Sequence, residues 1–440
     1  MVSFIPVFLS VLLLVAPTAE AIVPISKTFH FLVEGSYDGV IVEADNLYYT
    51  DLPIKTHPFA LCIYGLESAF QSNTPGLTLA LRLDSRLVWQ ANRGKSFSRN
   101  STIAFGRDGN LILTNAMGQI IWQTNTRNKG VVDLKLLPNG NMVLVNTKGD
   151  IVWQSFDYPT DTILVGQSLL PGYQKKLISR ISPFDNRNGP YSLVMDGGKM
   201  IFYYKGKYKY SLMKSIALSI ENNTYAKMTL QSGQVNQEPY LFEIKFNFTS
   251  TDSSTYSVVP TGLELKYNAT YSFLQLGQDG NIRIYTYFDK IQLAFMRSPW
   301  EETYTMFSRK QYFESECQLP ERCGKLGLCE DNQCVACPTP KGLLGWSKAC
   351  APPKLPSCNS QFGLKNVDYF KIVGVDHFSS SFSGYGPVKL DDCRRKCTKD
   401  CQCLGFFYKM DTSRCLVTSQ LNTLTKVSSS SHLAFIKIFK

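Results

Sequence analysis

Three copies of one short pattern constrain this chain more than any other feature. Leu87-Val88-Trp89-Gln90-Ala91-Asn92 returns as Ile120-Ile121-Trp122-Gln123-Thr124-Asn125, and again as Ile151-Val152-Trp153-Gln154-Ser155-Phe156. The tryptophans stand 33 and 31 residues apart. A period of that size marks a repeat architecture, in which one unit cannot bury its hydrophobic face alone. Two copies carry a second element upstream, Asp108-Gly109-Asn110-Leu111-Ile112-Leu113 and Asn139-Gly140-Asn141-Met142-Val143-Leu144, with Asn110 and Asn141 each 12 residues before its Trp. Asp-Gly and Asn-Gly supply the positive φ of tight hairpin turns. A short apolar strand follows, a second turn comes at Gly118 or Gly149, and the returning strand ends in apolar-apolar-Trp-Gln. Three such units around an axis share one core, with a Trp from each. The expectation is an all-β chain whose residues 44–157 form a threefold β-prism of antiparallel strands.

The compartment is legible at the N-terminus. Phe4 to Val15 is almost purely apolar and is followed by Ala19-Glu20-Ala21, a small-x-small cleavage pattern. Residues 1–21 therefore read as a secretory signal peptide. The apolar run is well short of the roughly 20 residues of a spanning helix, so the mature chain is expected to be soluble and released. Thirteen cysteines agree with an oxidising compartment. Cys62 stands alone, and the other twelve lie between Cys317 and Cys415, which in a secreted chain is a disulfide framework. Zinc at Cys334-x-x-Cys337 is the competing chemistry, but no His lies near it. Sequons occur at Asn100, Asn222, Asn247 and Asn268, each an acceptor for N-glycosylation. Cys62 reads as a buried apolar thiol, with an intermolecular bridge as the alternative.

Trp153-Gln154-Ser155-Phe156-Asp157-Tyr158-Pro159-Thr160-Asp161-Thr162 resembles the signature of plant G-type lectin proteins, and the repeats resemble the bulb-type (mannose-binding monocot) lectin domain of S-locus-like glycoproteins. Phe59-Ala60-Leu61-Cys62-Ile63-Tyr64 and Leu77-Thr78-Leu79-Ala80-Leu81-Arg82 are similar to a narrower branch, the secreted, kinase-less cell-wall glycoproteins of the carrot epidermal type. The resemblance implies a pocket per repeat of the form Q-x-D-x-N-x-V-x-Y. Gln, Asp and Asn there hold sugar hydroxyls, Val packs on the ring and Tyr donates to a further hydroxyl. This chain keeps little of it. In the copy from Gly106 to Thr114, Asp108, Asn110 and Ile112 fit; in the copy from Leu137 to Val145, Asn141 and Val143 fit. A third copy, Gly277 to Tyr285, retains Asp279, Asn281 and Tyr285, with Arg283 in place of Val. Asp/Asn-Gly-Asn is also good turn chemistry in its own right, so the residues that survive are those a hairpin keeps anyway. This third copy marks 158–305 as a degenerate second lectin-like domain. Lys and Tyr interleave over 203–214, which reads either as a basic aromatic surface or as a solvated strand with inward tyrosines.

Beyond these domains, cysteine spacings of x5, x5, x4, x2 and x12 run from Cys317 to Cys350. Six cysteines allow 15 connectivities. The resemblance, here to the EGF-like segment of S-locus glycoproteins over 317–350, implies Cys317–Cys329, Cys323–Cys334 and Cys337–Cys350. Residues 358–440 resemble a PAN/apple domain, which implies Cys393–Cys415, Cys397–Cys403 and Cys358–Cys401, with Asp391 to Cys397 a short helix on a sheet. So small a module as 317–350 is expected to have little core and to depend on its bridges.

Charge concentrates at this end. Residues 317–440 hold 17 Lys or Arg against 9 Asp or Glu, within a chain of net charge +11. An excess of that sign points to acidic partners, with Arg394, Arg395, Lys396 and Lys399 as candidate contacts for a polyanion such as de-esterified pectin, or else as a solvated helix face. The four histidines, His30, His57, His377 and His432, sit in no metal or nucleophile motif. Neither a P-loop nor a Gly-x-Ser-x-Gly elbow occurs, and no nucleic-acid motif is present. The expectation is a non-enzymatic, cofactor-free, apoplastic glycoprotein that binds wall carbohydrate or extracellular protein partners. Two alternatives stand beside it: a soluble signalling partner of receptor-like kinase ectodomains, and an active mannose-binding lectin.

Overall fold

The computed structural model describes residues 22–172, 176–196, 199–214, 225–234, 242–258, 264–265, 271–288, 299–309, 315–356, 358 and 366–439. The expected signal peptide, Asn222 and Asn268 lie outside the described residues.

Three antiparallel sheets enclose the first core. One pairs Phe29–Leu32, Thr102–Phe105, Leu111–Thr114 and Ile120–Gln123; the second pairs Val131–Leu136, Met142–Asn146 and Ile151–Gln154. The third runs through Gly39–Val40, Leu47–Thr56, Phe59–Leu66, Thr78–Leu83 and Arg86–Gln90. Each sheet ends in one repeat tryptophan. Trp89, Trp122 and Trp153 meet edge to face, with ring centroids 5.9, 6.0 and 6.1 Å apart and interplanar angles of 72–73°. Edge-to-face pairs add about 0.5–1.5 kcal/mol each beyond area burial, so this triad closes three weak sheets into one body. The turns follow the sequence chemistry. Gly109 and Gly140 adopt φ of 73° and 83°. A Cβ on Gly140 would also lie 2.5 Å from the Phe59 ring. The strand Phe29–Leu32 pairs in register with Thr102–Phe105, so the sheet unit takes in residues ahead of position 44. Cys62 is fully buried among Ile41, Leu47, Tyr64, Ala80 and Leu87, and burial pushes its thiol pKa up. It has no surface from which to bridge another chain.

A second set of three sheets spans Thr162–Leu164 to Trp300–Thr305. Its core holds Tyr191, Phe202, Tyr210, Phe246, Ile284 and Phe307. In the Lys/Tyr stretch, Tyr203, Tyr204, Tyr208 and Tyr210 are buried, whereas Lys205 and Lys207 are exposed. The inward-tyrosine alternative describes it.

Polar groups weld the two sets together. Arg180 lies buried between Glu43 of the first set (2.5 Å) and Asp161 (2.8 Å), whose side chains are 7% and 4% exposed. Asp161 is the acidic residue of the Pro-Thr-Asp-Thr run. Desolvation opposes the Arg180 charge, but the two carboxylates outweigh it and raise its pKa. Trp300 Nε1 donates to Asp84 at 3.0 Å across the same seam.

The cysteine-rich segment is not a free-standing module. Strand Leu326–Glu330 runs parallel to Asn422–Lys426, in the register Leu326↔Asn422 to Cys329↔Thr425. One five-stranded sheet thus joins residues 326–345 to 375–377 and 422–426. Leu326, Leu328, Phe407, Leu424 and Ile436 share a core, so the segment draws on its neighbour for the hydrophobic burial it lacks. Six disulfides join Cys317–Cys329, Cys323–Cys334, Cys337–Cys350, Cys358–Cys401, Cys393–Cys415 and Cys397–Cys403, with Cα separations of 5.3–5.8 Å. Helix Leu390–Lys399 places Cys393 and Cys397 inward, and buried Lys437 Nζ caps its C-terminal end on the Cys397 and Asp400 carbonyls (2.7 and 2.8 Å). Glu321 accepts hydrogen bonds from Tyr191 and Tyr204 (3.1 and 2.8 Å), docking this end onto the second set of sheets.

Removing one partner from a buried ion cluster leaves uncompensated charge, so Arg180→Met is expected to cost about 3–5 kcal/mol in urea unfolding. The triple variant with Glu43→Gln and Asp161→Asn should recover much of that loss. A second expectation concerns pH. His377 is buried, bonded to Ser379 and to the Gln420 carbonyl at 2.8 Å each, and burial lowers its pKa to about 4. The folded state therefore excludes a proton that the unfolded chain binds below about 6.5. Stability from this group is complete above that pH and falls as pH drops toward 4, by a total on the order of 3 kcal/mol. Urea midpoints across this window should slope for the native chain and flatten for His377→Gln.

Candidate functional site

The surviving pocket residues sit where turn meets strand, and their bonds point inward. Asn110 is 3% exposed. Its Nδ2 donates to Gln123 Oε1 at 2.9 Å, and its Oδ1 accepts from the Thr124 hydroxyl (3.0 Å) and the Thr126 N–H (3.1 Å). Asn141 repeats the arrangement: Nδ2 to Gln154 Oε1 at 2.8 Å, with Oδ1 accepting from the Ser155 hydroxyl and the Phe156 N–H (3.2 and 3.3 Å). Asn281 clasps the Phe307 backbone, N–H and carbonyl, at 3.0 and 2.8 Å. Each of these Asn side chains ties its turn to the returning segment. Two residues earlier, Asp108, Asn139 and Asp279 each accept the N–H of that Asn (3.2, 3.1 and 3.0 Å), the side-chain turn that Asx residues form by preference.

The acidic members are further engaged. Asp108 pairs with Arg127 at 2.7 Å. Asp279 takes a two-pronged contact from Arg283, at 3.0 and 2.5 Å. Burial raises its carboxyl pKa, but the guanidinium outweighs that effect and holds the group below the ordinary carboxylate value. Arg283 stands where the pocket pattern has an apolar residue, and it caps the acid that a sugar hydroxyl would approach. Tyr285 packs on Phe273, at 5.5 Å between ring centroids, and Arg86 of the first set lies 4.1 Å over its ring. In the copy that matches the pattern best, the acid and the tyrosine are thus both already engaged with arginine side chains. Glycine holds the Gln position of the pattern in two of the three copies, at 106 and 277. A Cβ at Gly106 would stand 2.9 Å from the Asp108 carboxylate, and one at Gly277 would stand 2.5 Å from that of Asp279.

The basic candidates share one helix without forming an uninterrupted cationic face. Arg394 contacts Asp368 (3.4 Å) and stacks over Tyr369, while Arg395 pairs with Asp392. Lys396 lies 3.9 Å above the Tyr385 ring. Lys399 is exposed in the last turn. Pairs this exposed contribute at most about 1 kcal/mol, so neither Arg394 nor Arg395 is strongly held by its carboxylate. Of the described sequons, Asn100 is exposed at φ 61°. Asn247 is half-buried on a strand, donating to Gln231 and accepting from Ser257.

Two roles escape a motif reading. Gln123 and Gln154, the Gln of Trp-Gln, are the acceptors for Asn110 and Asn141; the constant 13-residue Asn-to-Gln spacing carries that signal in the sequence. Asp161 serves the buried ion cluster, and no local pattern points to its partner Arg180. Because Asn110 and Asn141 satisfy buried backbone donors, Asn110→Ala and Asn141→Ala are each expected to destabilise the chain by about 1–3 kcal/mol, measured by urea unfolding. A pure ligand role would leave unfolding unchanged.

Comparison with known proteins gives these observations a family. The D-mannose binding lectin family matches residues 86–185. EP1-like glycoprotein 4 of Arabidopsis thaliana is 42% identical over 95% of this chain and 93% of its own length. The epidermis-specific secreted glycoprotein EP1 of Daucus carota is 42% identical over 85% of this chain and 99% of its own. A crystal structure of monomeric monocot mannose-binding lectins from Gastrodia elata aligns over 29% of this chain and 96% of its own at 20% identity, with a TM-score of 0.18. With lectin-type repeats, a disulfide-rich end and this end-to-end similarity, the chain belongs to the EP1-like glycoproteins.

Proposed function

We propose that this chain is a secreted, non-enzymatic cell-wall glycoprotein whose bulb-type lectin repeats serve as scaffold rather than as mannose receptors. The carrot relative is named a secreted glycoprotein, and the Ala19-Glu20-Ala21 leader agrees with export. In this reading two tandem β-prisms, an EGF-like segment and a PAN/apple domain succeed one another. One observation carries it: at Asn110, Asn141 and Asn281 both side-chain polar atoms are engaged within the fold, and Arg283 covers Asp279. The partner is a wall polyanion of the acidic pectin class, met by Arg394, Arg395, Lys396 and Lys399 in the most basic part of the chain. Their exposed pairs are weak enough to exchange for the closely spaced carboxylates of such a polymer.

The test is capture of the secreted, glycosylated chain on immobilised mannosides and on de-esterified pectin, at low and high salt. Attraction between exposed charges fades as the Debye length shrinks. Capture on pectin that falls with salt, with mannosides silent, is expected. Salt-insensitive capture on mannosides would restore the lectin alternative, and silence on every surface would replace the carbohydrate reading with a protein partner.

A further inference from the structure

A cleft at the seam between the two sets of sheets belongs to none of the eroded pockets. It encloses about 390 Å³, within the range of about 300–1,000 Å³ usual for small-molecule sites, which favour such junctions. Its first wall comes from the end of strand Phe59–Leu66 and the segments that follow; its second is the hairpin tip at residues 183–187.

Hydrogen bonds tie the two walls to each other without any ligand. Asn186 on the hairpin donates to Thr78 Oγ1 at 2.8 Å and accepts from the Gly94 N–H at 3.1 Å. Arg93 donates to the Asn186 and Ile178 carbonyls at 2.8 and 2.6 Å. All four bonds cross the seam. A site fixed in this way loses little conformational freedom on binding.

The lining selects a chemistry. Phe184 is 55% exposed, a large aromatic ring held in water at the cleft. Beside it, Arg187 donates from Nε and Nη2 to the two Asp185 carboxylate oxygens (3.0 and 2.6 Å), a flat pair whose charges balance. Ser68 and Ser96 add exposed hydroxyls. A polyanion meets no unmatched cation in this lining. A wholly apolar ligand would strip water from the ion pair and the hydroxyls without replacing their hydrogen bonds. A sugar ring meets both demands, with an apolar C–H face for the aromatic ring and adjacent hydroxyls for planar polar groups. We propose that this seam cleft binds a neutral saccharide of one or two rings, independently of the mannose positions and of the basic helix. The inference goes beyond the polyanion reading and does not rest on it.

The test uses the full glycosylated chain, titrated with mannobiose, cellobiose and xylobiose by ligand-observed NMR and calorimetry. At least one disaccharide should bind, with an affinity unmoved by salt. Phe184→Ala should weaken it about tenfold or more, the scale of losing one well-placed aromatic contact. Ser96→Trp, an exposed position where a large ring plugs the cleft, should do the same, with an unchanged melting temperature verifying the fold. The proposal is overturned if none of the three disaccharides binds, or if both variants bind as the native chain does. Pectin capture that survives alongside silent disaccharides would sink the cleft and leave the polyanion reading standing; the reverse pattern would do the opposite.

Discussion

The edge-to-face contact of Trp89, Trp122 and Trp153 is the constraint on which the first half of the chain depends. A sheet of three to five short strands has one apolar face and no means of covering it alone. Bringing three such faces to one axis removes them from water together, and the large flat indoles fill the space where the sheets converge. Everything local serves that closure. The glycine turns reverse the chain tightly enough for adjacent strands to pair, and the Asn of each turn reaches across to the next returning strand.

The same geometry sets what the polar residues of the turns are bonded to. A residue able to hold a sugar hydroxyl is equally able to hold a backbone N–H, and in this chain Asn110, Asn141 and Asn281 do the latter. At Gly106 and Gly277 the Asp108 and Asp279 carboxylates lie 2.9 and 2.5 Å from where a Cβ would stand, and each has a guanidinium partner, Arg127 or Arg283. In each copy the turn and the bonds of its Asn stabilise the fold. Tyr285 shows the same logic between units: its ring is stacked under Arg86 and supports the seam.

Joining the units changes what each can do. The Glu43–Arg180–Asp161 cluster and the Arg93–Asn186 bonds hold two sets of sheets in one arrangement and leave the cleft between them open. At the other end, strand Leu326–Glu330 enters a sheet with Asn422–Lys426, so six cysteines with little core of their own gain a hydrophobic floor. In both places long-range packing supplies what the local sequence lacks.

Much of this was legible in the residues. The repeat period, the Asp/Asn-Gly turns and the inward apolar positions determine strands, turns and a shared tryptophan core, because hydrogen-bond geometry and the need to bury one face act over a few residues. The absence of Gln from all three copies of the pattern, and of Tyr from two, is readable for the same reason: it concerns side chains fixed by local register. What the tertiary structure alone decided is which distant groups meet. Arg180 finds Glu43 across 137 positions, Arg86 finds Tyr285, and the strand at 326 finds the strand at 422. None of these pairings leaves a periodic trace, since a buried charge or a strand edge accepts any partner that packing delivers. The seam cleft is of this kind. Its aromatic ring, ion pair and hydroxyls come from segments that only the closed fold brings together.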